Sequence, residues 1–203
     1  MKNEISINQK KSVKTLTKIG VLSAIAGVLM LVEMPLWFAP SFYKLDLSEI
    51  PVLIGAFALG PFAAIAIEFV KILLNFVLNG TITGGIGELA NFLIGCSFVI
   101  PAGYIYRHHK TMKTAIIGMV VGTISLAIVG ALLNYSVLLP AYAKVFGAPI
   151  QSFIDMGNAL NPYIIDLKTF ILYAVVPFNI LKGIIVSAIT LLIYKRLSPI
   201  LHK

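Results

Sequence analysis

Charge is scarce in this chain. Only 12% of its 203 residues are Asp, Glu, Lys or Arg, about half the share of an average soluble domain, while 59% are hydrophobic. That balance reads as a polytopic membrane protein. Cysteine is nearly absent: the single Cys96 lies in an apolar run, which excludes an intrachain disulfide and a thiolate metal cluster. No GxxxxGK(S/T) phosphate loop occurs, so ATP is not hydrolysed by that device. His108, His109 and His202 lack HExxH spacing, and no Ser, His and acid set shares one depth. Metal and nucleophilic catalysis therefore have little support. There is also no inverted repeat with paired broken helices of the kind many secondary carriers show.

What is present is a series of long apolar runs. Crossing the hydrocarbon takes about 20 apolar residues, fewer where protein shields them. Six candidate spans result: 16–36, 48–59, 61–78, 88–106, 114–137 and 169–194. The expected fold is an all-α integral membrane protein, one transmembrane domain over 1–203, with six helices in a compact bundle. The second span is short. Gly60-Pro61 separates it from the third, and glycine closing one helix before proline opens the next predicts a hairpin.

Basic residues set the expected orientation. Lys2, Lys10, Lys11, Lys14 and Lys18 precede span one; Arg107, Lys110 and Lys113 lie between spans four and five; Lys195, Arg196 and Lys203 follow span six. With six spans all three groups fall on one side, placing both termini in the cytoplasm of a multi-pass cell-membrane protein. The net charge of +8 is then a consequence of topology and lipid contact, and nucleic acid need not be invoked. The N-terminal run is too long, and leads into EMPLWF, to read as a cleaved signal peptide.

Polar residues can be placed by depth in this topology. The loop FAPSFYKLDLSEIP carries Asp46, Ser48 and Glu49; span four opens with Glu88 and Asn91; span five closes with Asn134 and Tyr135. Asn179 and Lys182 lie roughly 15 to 20 Å below the outer start of span six at 1.5 Å per residue. All fall in the outer half, which points to an outward-facing pocket for a polar or amphipathic small molecule. Most members also have a plainer use. Asp46 or Ser48 serves equally as a helix cap, Glu49 as a solvated loop charge, and Glu88 as a partner of the helix dipole. Lys182 is different: a lysine at that depth costs about 2.5 to 3.5 kcal/mol and needs a cavity or a partner. Asn179 shares its helix face, and Pro177 leaves a carbonyl unpaired at 173. In span three, Glu68 and Lys71 read as a mutually neutralising structural ion pair, and NGTITGGIGE as a flexible outer loop. Span one carries two overlapping small-residue faces, Gly20 with Ala24 and Ser23 with Gly27; these serve either packing within the chain or approach by another membrane helix.

KLDLSEIPVLIGAFALGP, GELANFLIG, LLNY and VPFNILKG, in this order, resemble the riboflavin-specific substrate-binding (S) components of energy-coupling factor (ECF) vitamin transporters, over about residues 14–196. The resemblance implies a six-helix subunit that is not an enzyme and carries no cofactor. It would bind riboflavin with high affinity from outside and work with a transmembrane coupling subunit and two cytoplasmic ATPases. It also implies Leu45, Asp46, Leu47, Glu88, Asn91, Asn134, Asn179 and Lys182 as ligand contacts, with Phe92, Tyr135 and Phe178 as aromatic walls. Gly20, Ser23, Ala24 and Gly27 would form the docking face for the coupling subunit, departing from the family's Ala-x-x-x-Ala pattern. The sequence does not separate riboflavin from its 5′-phosphate, FMN. The competing reading is a stand-alone secondary carrier or a small membrane enzyme for an amphipathic substrate, with Glu68 as a titrating group.

Overall fold

A computed structural model describes residues 2–201, with side chains from 12 to 194. The anchors Lys2, Lys10, Lys11, Lys195, Arg196 and Lys203, and His202, lie outside the residues whose side chains are described. Among the described residues, five helical stretches are long and apolar enough to cross a membrane, and a sixth apolar helix is shorter.

Helix α1 (Lys2–Met30) ends at Met30, short of the expected 36. Pro35 stops it: the residue before a proline is pushed toward extended backbone. Strand β1 (Met34–Pro35) pairs antiparallel with β2 (Lys44–Leu45), Met34 opposite Leu45. This small hairpin stiffens the loop between the first two helices. Helix α2 (Glu49–Leu59) is the short one, about 16 Å long at 1.5 Å per residue. Gly60, at φ 98°, ends it, and Pro61 begins α3 (Pro61–Asn79), giving the expected hairpin. Residues Glu49 to Phe57 of α2 are all buried, because α2 packs against α1, α3, α4 and α9 at once.

Helices α4 (Ile86–His108) and α5 (Met112–Leu133) form the tightest pair. A Cβ on Gly118 would stand 2.7 Å from the Ala102 carbonyl oxygen, and one on Gly122 would stand 2.6 Å from that of Phe98. Only glycine allows this approach of two backbones. Thr111 caps α5, its hydroxyl accepting from the Thr114 N–H at 3.2 Å.

The last two spans are not uniform α-helices. In the first of them, α5 passes through a π-helical turn (Asn134–Leu138) into α6 (Leu139–Val145). In the second, α8 (Leu167–Phe170), capped by Asp166, passes through a π turn (Ile171–Val175) into α9 (Val176–Leu201). Both π turns sit just ahead of a proline, Pro140 and Pro177. Each ring removes the N–H that residue i−4 would have used, and a widened turn accommodates the defect. A further helix, α7 (Ile150–Asn158), was not expected. It buries Phe153, Ile154 and Gly157.

Two apolar clusters organise the interior. The larger surrounds α2, with Leu53, Ile67, Phe98, Met119 and Val186 among its members. The smaller gathers Leu139, Phe153, Ile154, Ile164, Phe170 and Val175, with Phe42 and Tyr43 against it. It seals the end of the bundle that carries the 31–48 loop. Outward faces of the long helices expose residues such as Val28, Phe69, Val77, Ile124 and Ile184, the pattern of surfaces solvated by lipid.

Candidate functional site

Between the two apolar clusters lies a layer of buried polar side chains. Lys182, on α9, is 7% exposed, and its Nζ donates to Asp46 Oδ2 at 2.9 Å. Asp46 follows β2 directly, so the hairpin fixes where its carboxylate enters the bundle. Its other oxygen, Oδ1, accepts from the Ser48 N–H at 2.8 Å and from the Ser48 hydroxyl. Burial alone would push the Asp46 carboxyl up, but the Lys182 ammonium and these hydrogen bonds outweigh it and hold it at about 2.

Asn134 opens the first π turn, and Asn179 lies on α9 one turn past the second and one turn before Lys182. The Asn134 amide donates to the Gly130 carbonyl at 2.8 Å, and its Oδ1 accepts from the Tyr43 hydroxyl at 2.6 Å. The Asn179 amide donates to the Val175 carbonyl at 2.9 Å. Both amides bond back to the carbonyl of residue i−4 on their own helix, which fixes their side chains beside the widened turns. Gly130 lets the two spans meet here: a Cβ on it would lie 2.8 Å from Asn179 Nδ2. Tyr43 completes an aromatic wall, with ring centroids 4.6 Å from Phe42, 5.4 Å from Phe178 and 6.3 Å from Phe170. Burial raises the Tyr43 hydroxyl well above its ordinary value, so it stays a neutral donor.

A second polar group sits beside the first. Lys71 Nζ on α3 lies 2.6 Å from Glu68 Oε1 and 2.9 Å from Glu49 Oε1 on α2. The expected pair is thus a triad, and Glu49 is not a solvated loop charge but 2% exposed. Gly95 on α4 makes the room, since a Cβ there would stand 2.4 Å from Glu68 Oε1 and 2.9 Å from Glu49 Oε1.

The structure therefore brings together Leu45, Asp46, Asn134, Phe178, Asn179 and Lys182 from the loop and two spans. Leu47 is half-buried against the larger apolar cluster. Other expected contacts stand apart. Glu88 Oε2 accepts from Thr81 and Thr83 hydroxyls at 3.1 and 3.4 Å, tying the glycine-rich loop to the start of α4. Asn91 is exposed, Phe92 meets Phe69 edge-on at 6.1 Å, and Tyr135 is 44% exposed. The small-residue faces of α1 divide. Ser23 is buried, its hydroxyl donating to the Ile19 carbonyl at 2.8 Å, and a Cβ on Gly27 would touch Leu74 at 3.2 Å; that face is used within the chain. Gly20 and Ala24 are exposed, and nothing lies within 4 Å of a Cβ on Gly20. Sequence reasoning missed Tyr43, Phe42, Phe170 and the α7 cover. The i, i+3, i+4, i+7 spacing of Ile150, Phe153, Ile154 and Gly157 was the available signal for α7.

Fold and site together define a small helical membrane protein with an ion-paired, aromatic-walled polar layer that the 31–48 loop and its hairpin close against. The chain belongs to the family of ECF transporter substrate-specific components, whose model matches residues 14–194. It is 38% identical to the riboflavin transporter RibU of Staphylococcus aureus (strain TCH60), over 94% of this chain and 93% of that one. It is 33% identical to the riboflavin transporter FmnP of Bacillus subtilis (strain 168), over 92% and 93% respectively. A solved structure described as the S component of a bacterial ECF transporter superposes with a TM-score of 0.75 at 36% identity, covering 95% of this chain and 99% of that one.

Proposed function

We propose that this chain is the riboflavin-binding subunit of an ATP-driven ECF uptake transporter in the cell membrane. The observation that carries the reading is the convergence of Asp46, Asn134, Asn179 and Lys182 in one buried layer beside Phe178 and Tyr43. Its chemistry suits a flavin. The Asn179 amide and Lys182 ammonium offer donors to the carbonyl and ring-nitrogen acceptors of an isoalloxazine, and the Asn179 oxygen offers an acceptor to its imide N–H. Asp46 and Asn134 offer partners to ribityl hydroxyls, and the flat ring packs against aromatic side chains.

In this reading α2 counts as a sixth, protein-shielded span, both termini are cytoplasmic, and the 31–48 loop covers the ligand from outside. Leu45, Leu47, Glu88 and Asn91 border the entry, with Phe92 and Tyr135 as outer aromatic contacts. The exposed Gly20 and Ala24 stripe of α1 receives the transmembrane coupling subunit, whose two cytoplasmic ATPases supply the energy.

The test is the visible spectrum of the protein purified in detergent, with the released compound identified by chromatography. Bands of bound oxidised flavin are expected, and the chromatogram distinguishes riboflavin from FMN. A colourless protein that leaves added riboflavin fluorescence unquenched would overturn the reading.

A further inference from the structure

The buried polar layer does not balance its charges. Three carboxylates, Asp46, Glu49 and Glu68, face two ammonium groups, Lys71 and Lys182, and all five residues are at most 7% exposed. They act as one electrostatic unit: Asp46 acts on Lys71, and Lys182 acts on Glu49 and Glu68. With every group ionised, the unit holds one uncompensated negative charge away from water, which is strongly unfavourable. Hydrogen bonding shows where the imbalance sits. Asp46 has both oxygens engaged, whereas among the described residues Glu49 Oε2 and Glu68 Oε2 are buried with no partner, as is Asn75 Oδ1 two turns beyond Glu68 on α3.

Among the described residues, no further cation acts on this unit. Around Glu68 stand Glu49 from α2, Lys71 from α3 itself, Cys96 from α4 and Lys182 from α9; Asp46 from the loop acts on the two lysines, and α1 presents the Ser23 hydroxyl. The two carboxylates converge on Lys71 Nζ and on the space left by Gly95. Two like charges so placed favour sharing a proton.

One of the three negative charges is carried by a loop. Asp46 lies between β2 and α2, outside the long helices, so opening the 31–48 loop removes it from the layer. The remaining two carboxylates and two ammonium groups then balance. We propose that Glu49 and Glu68 hold one proton between them while Asp46 is paired with Lys182, and release it to the outer aqueous phase when Asp46 withdraws. Closing the loop takes that proton up again, so movement of the cover is linked to protonation of the layer. Its bearing on ligand capture rests on the flavin reading above; the proton itself does not.

Infrared difference spectroscopy of the detergent-purified protein, without ligand, tests this directly. The chain has only eight Asp and Glu residues, so the carbonyl stretch of one buried protonated carboxyl is resolvable by its shift in heavy water. Wild-type protein at neutral pH is expected to show that band. Glu49→Gln and Glu68→Gln each lose it, because the remaining carboxylate then has Lys71 to itself. Asp46→Asn also loses it, although both glutamates remain. Absence of the band in the folded wild-type protein overturns the proposal, as does its survival in Asp46→Asn or in both glutamine variants. Flavin binding with no such band would sink the proton alone, whereas the band without flavin binding would sink the transport reading alone.

Discussion

Lys182 Nζ and Asp46 Oδ2 lie 2.9 Å apart although 136 positions separate the two residues. The contact ties the loop between the first two helices to the floor of the last span. Breaking it by Lys182→Ala leaves a buried carboxylate without its cation, which costs about 3 to 5 kcal/mol where the structure cannot relax. A loop that can open relaxes instead. Lys182→Ala is therefore expected to weaken riboflavin binding at least tenfold, about 1.4 kcal/mol, with a smaller loss of thermal stability. Fluorescence titration beside a melting curve checks both, and unchanged affinity would remove Lys182 from the site.

The same pair predicts an acid limit. Asp46 is held at about 2, below its ordinary 3.8, so its contribution is present above about pH 4 and disappears as pH falls through the folded value. The shift corresponds to on the order of 2 kcal/mol. Protection of the 31–48 loop from protease should drop between these values in the wild-type protein. Asp46→Asn should show reduced protection at every pH and no such step.

Tyr43 closes the cover by donating to Asn134 Oδ1 at 2.6 Å. Tyr43→Phe keeps the aromatic contacts and removes a bond worth about 1 kcal/mol. Riboflavin should dissociate about fivefold faster, and Asn134→Ala should give a comparable change. If Tyr43→Phe and wild-type protein release ligand at the same rate, this bond does not hold the loop.

Two glycine substitutions should behave oppositely. Gly95→Ala drives a Cβ to within 2.4 Å of Glu68 Oε1, and overpacking of this kind costs about 1 to 3 kcal/mol. A lower melting temperature is the expected result. Gly20→Ala meets open space and should leave the isolated subunit as stable as before, whereas Gly20→Leu should weaken capture of the coupling subunit while sparing riboflavin affinity. Equal capture by Gly20→Leu and wild-type protein would move the docking face elsewhere.

Much of this arrangement is legible in the sequence because lipid makes isolated polar residues conspicuous. Lys182 had to have a partner or a cavity, and Gly60-Pro61 had to break the chain; both readings depend on local chemistry alone. The partner of Lys182 was not legible, because helical spacing says nothing about a residue 136 positions away. Glu49 was hidden for a related reason. A glutamate two residues before a proline at a loop end resembles a solvated charge until α2 is seen to be enclosed by α1, α3, α4 and α9. The two faces of α1 could be recognised as close-packing surfaces, but only their burial separates Ser23 and Gly27, spent on α3, from Gly20 and Ala24. The π turns follow from Pro140 and Pro177, whose missing N–H groups were visible, while the widened geometry that absorbs them was not.

The central claim is that the layer joining Asp46, Asn134, Asn179 and Lys182 is a flavin site. Titration of purified, flavin-free protein with riboflavin, followed by quenching of flavin fluorescence, tests it most directly. Saturation at equimolar riboflavin, with the midpoint moved at least tenfold by Lys182→Ala, about 1.4 kcal/mol, is the result this account predicts. Fluorescence that stays unquenched by folded wild-type protein would contradict it.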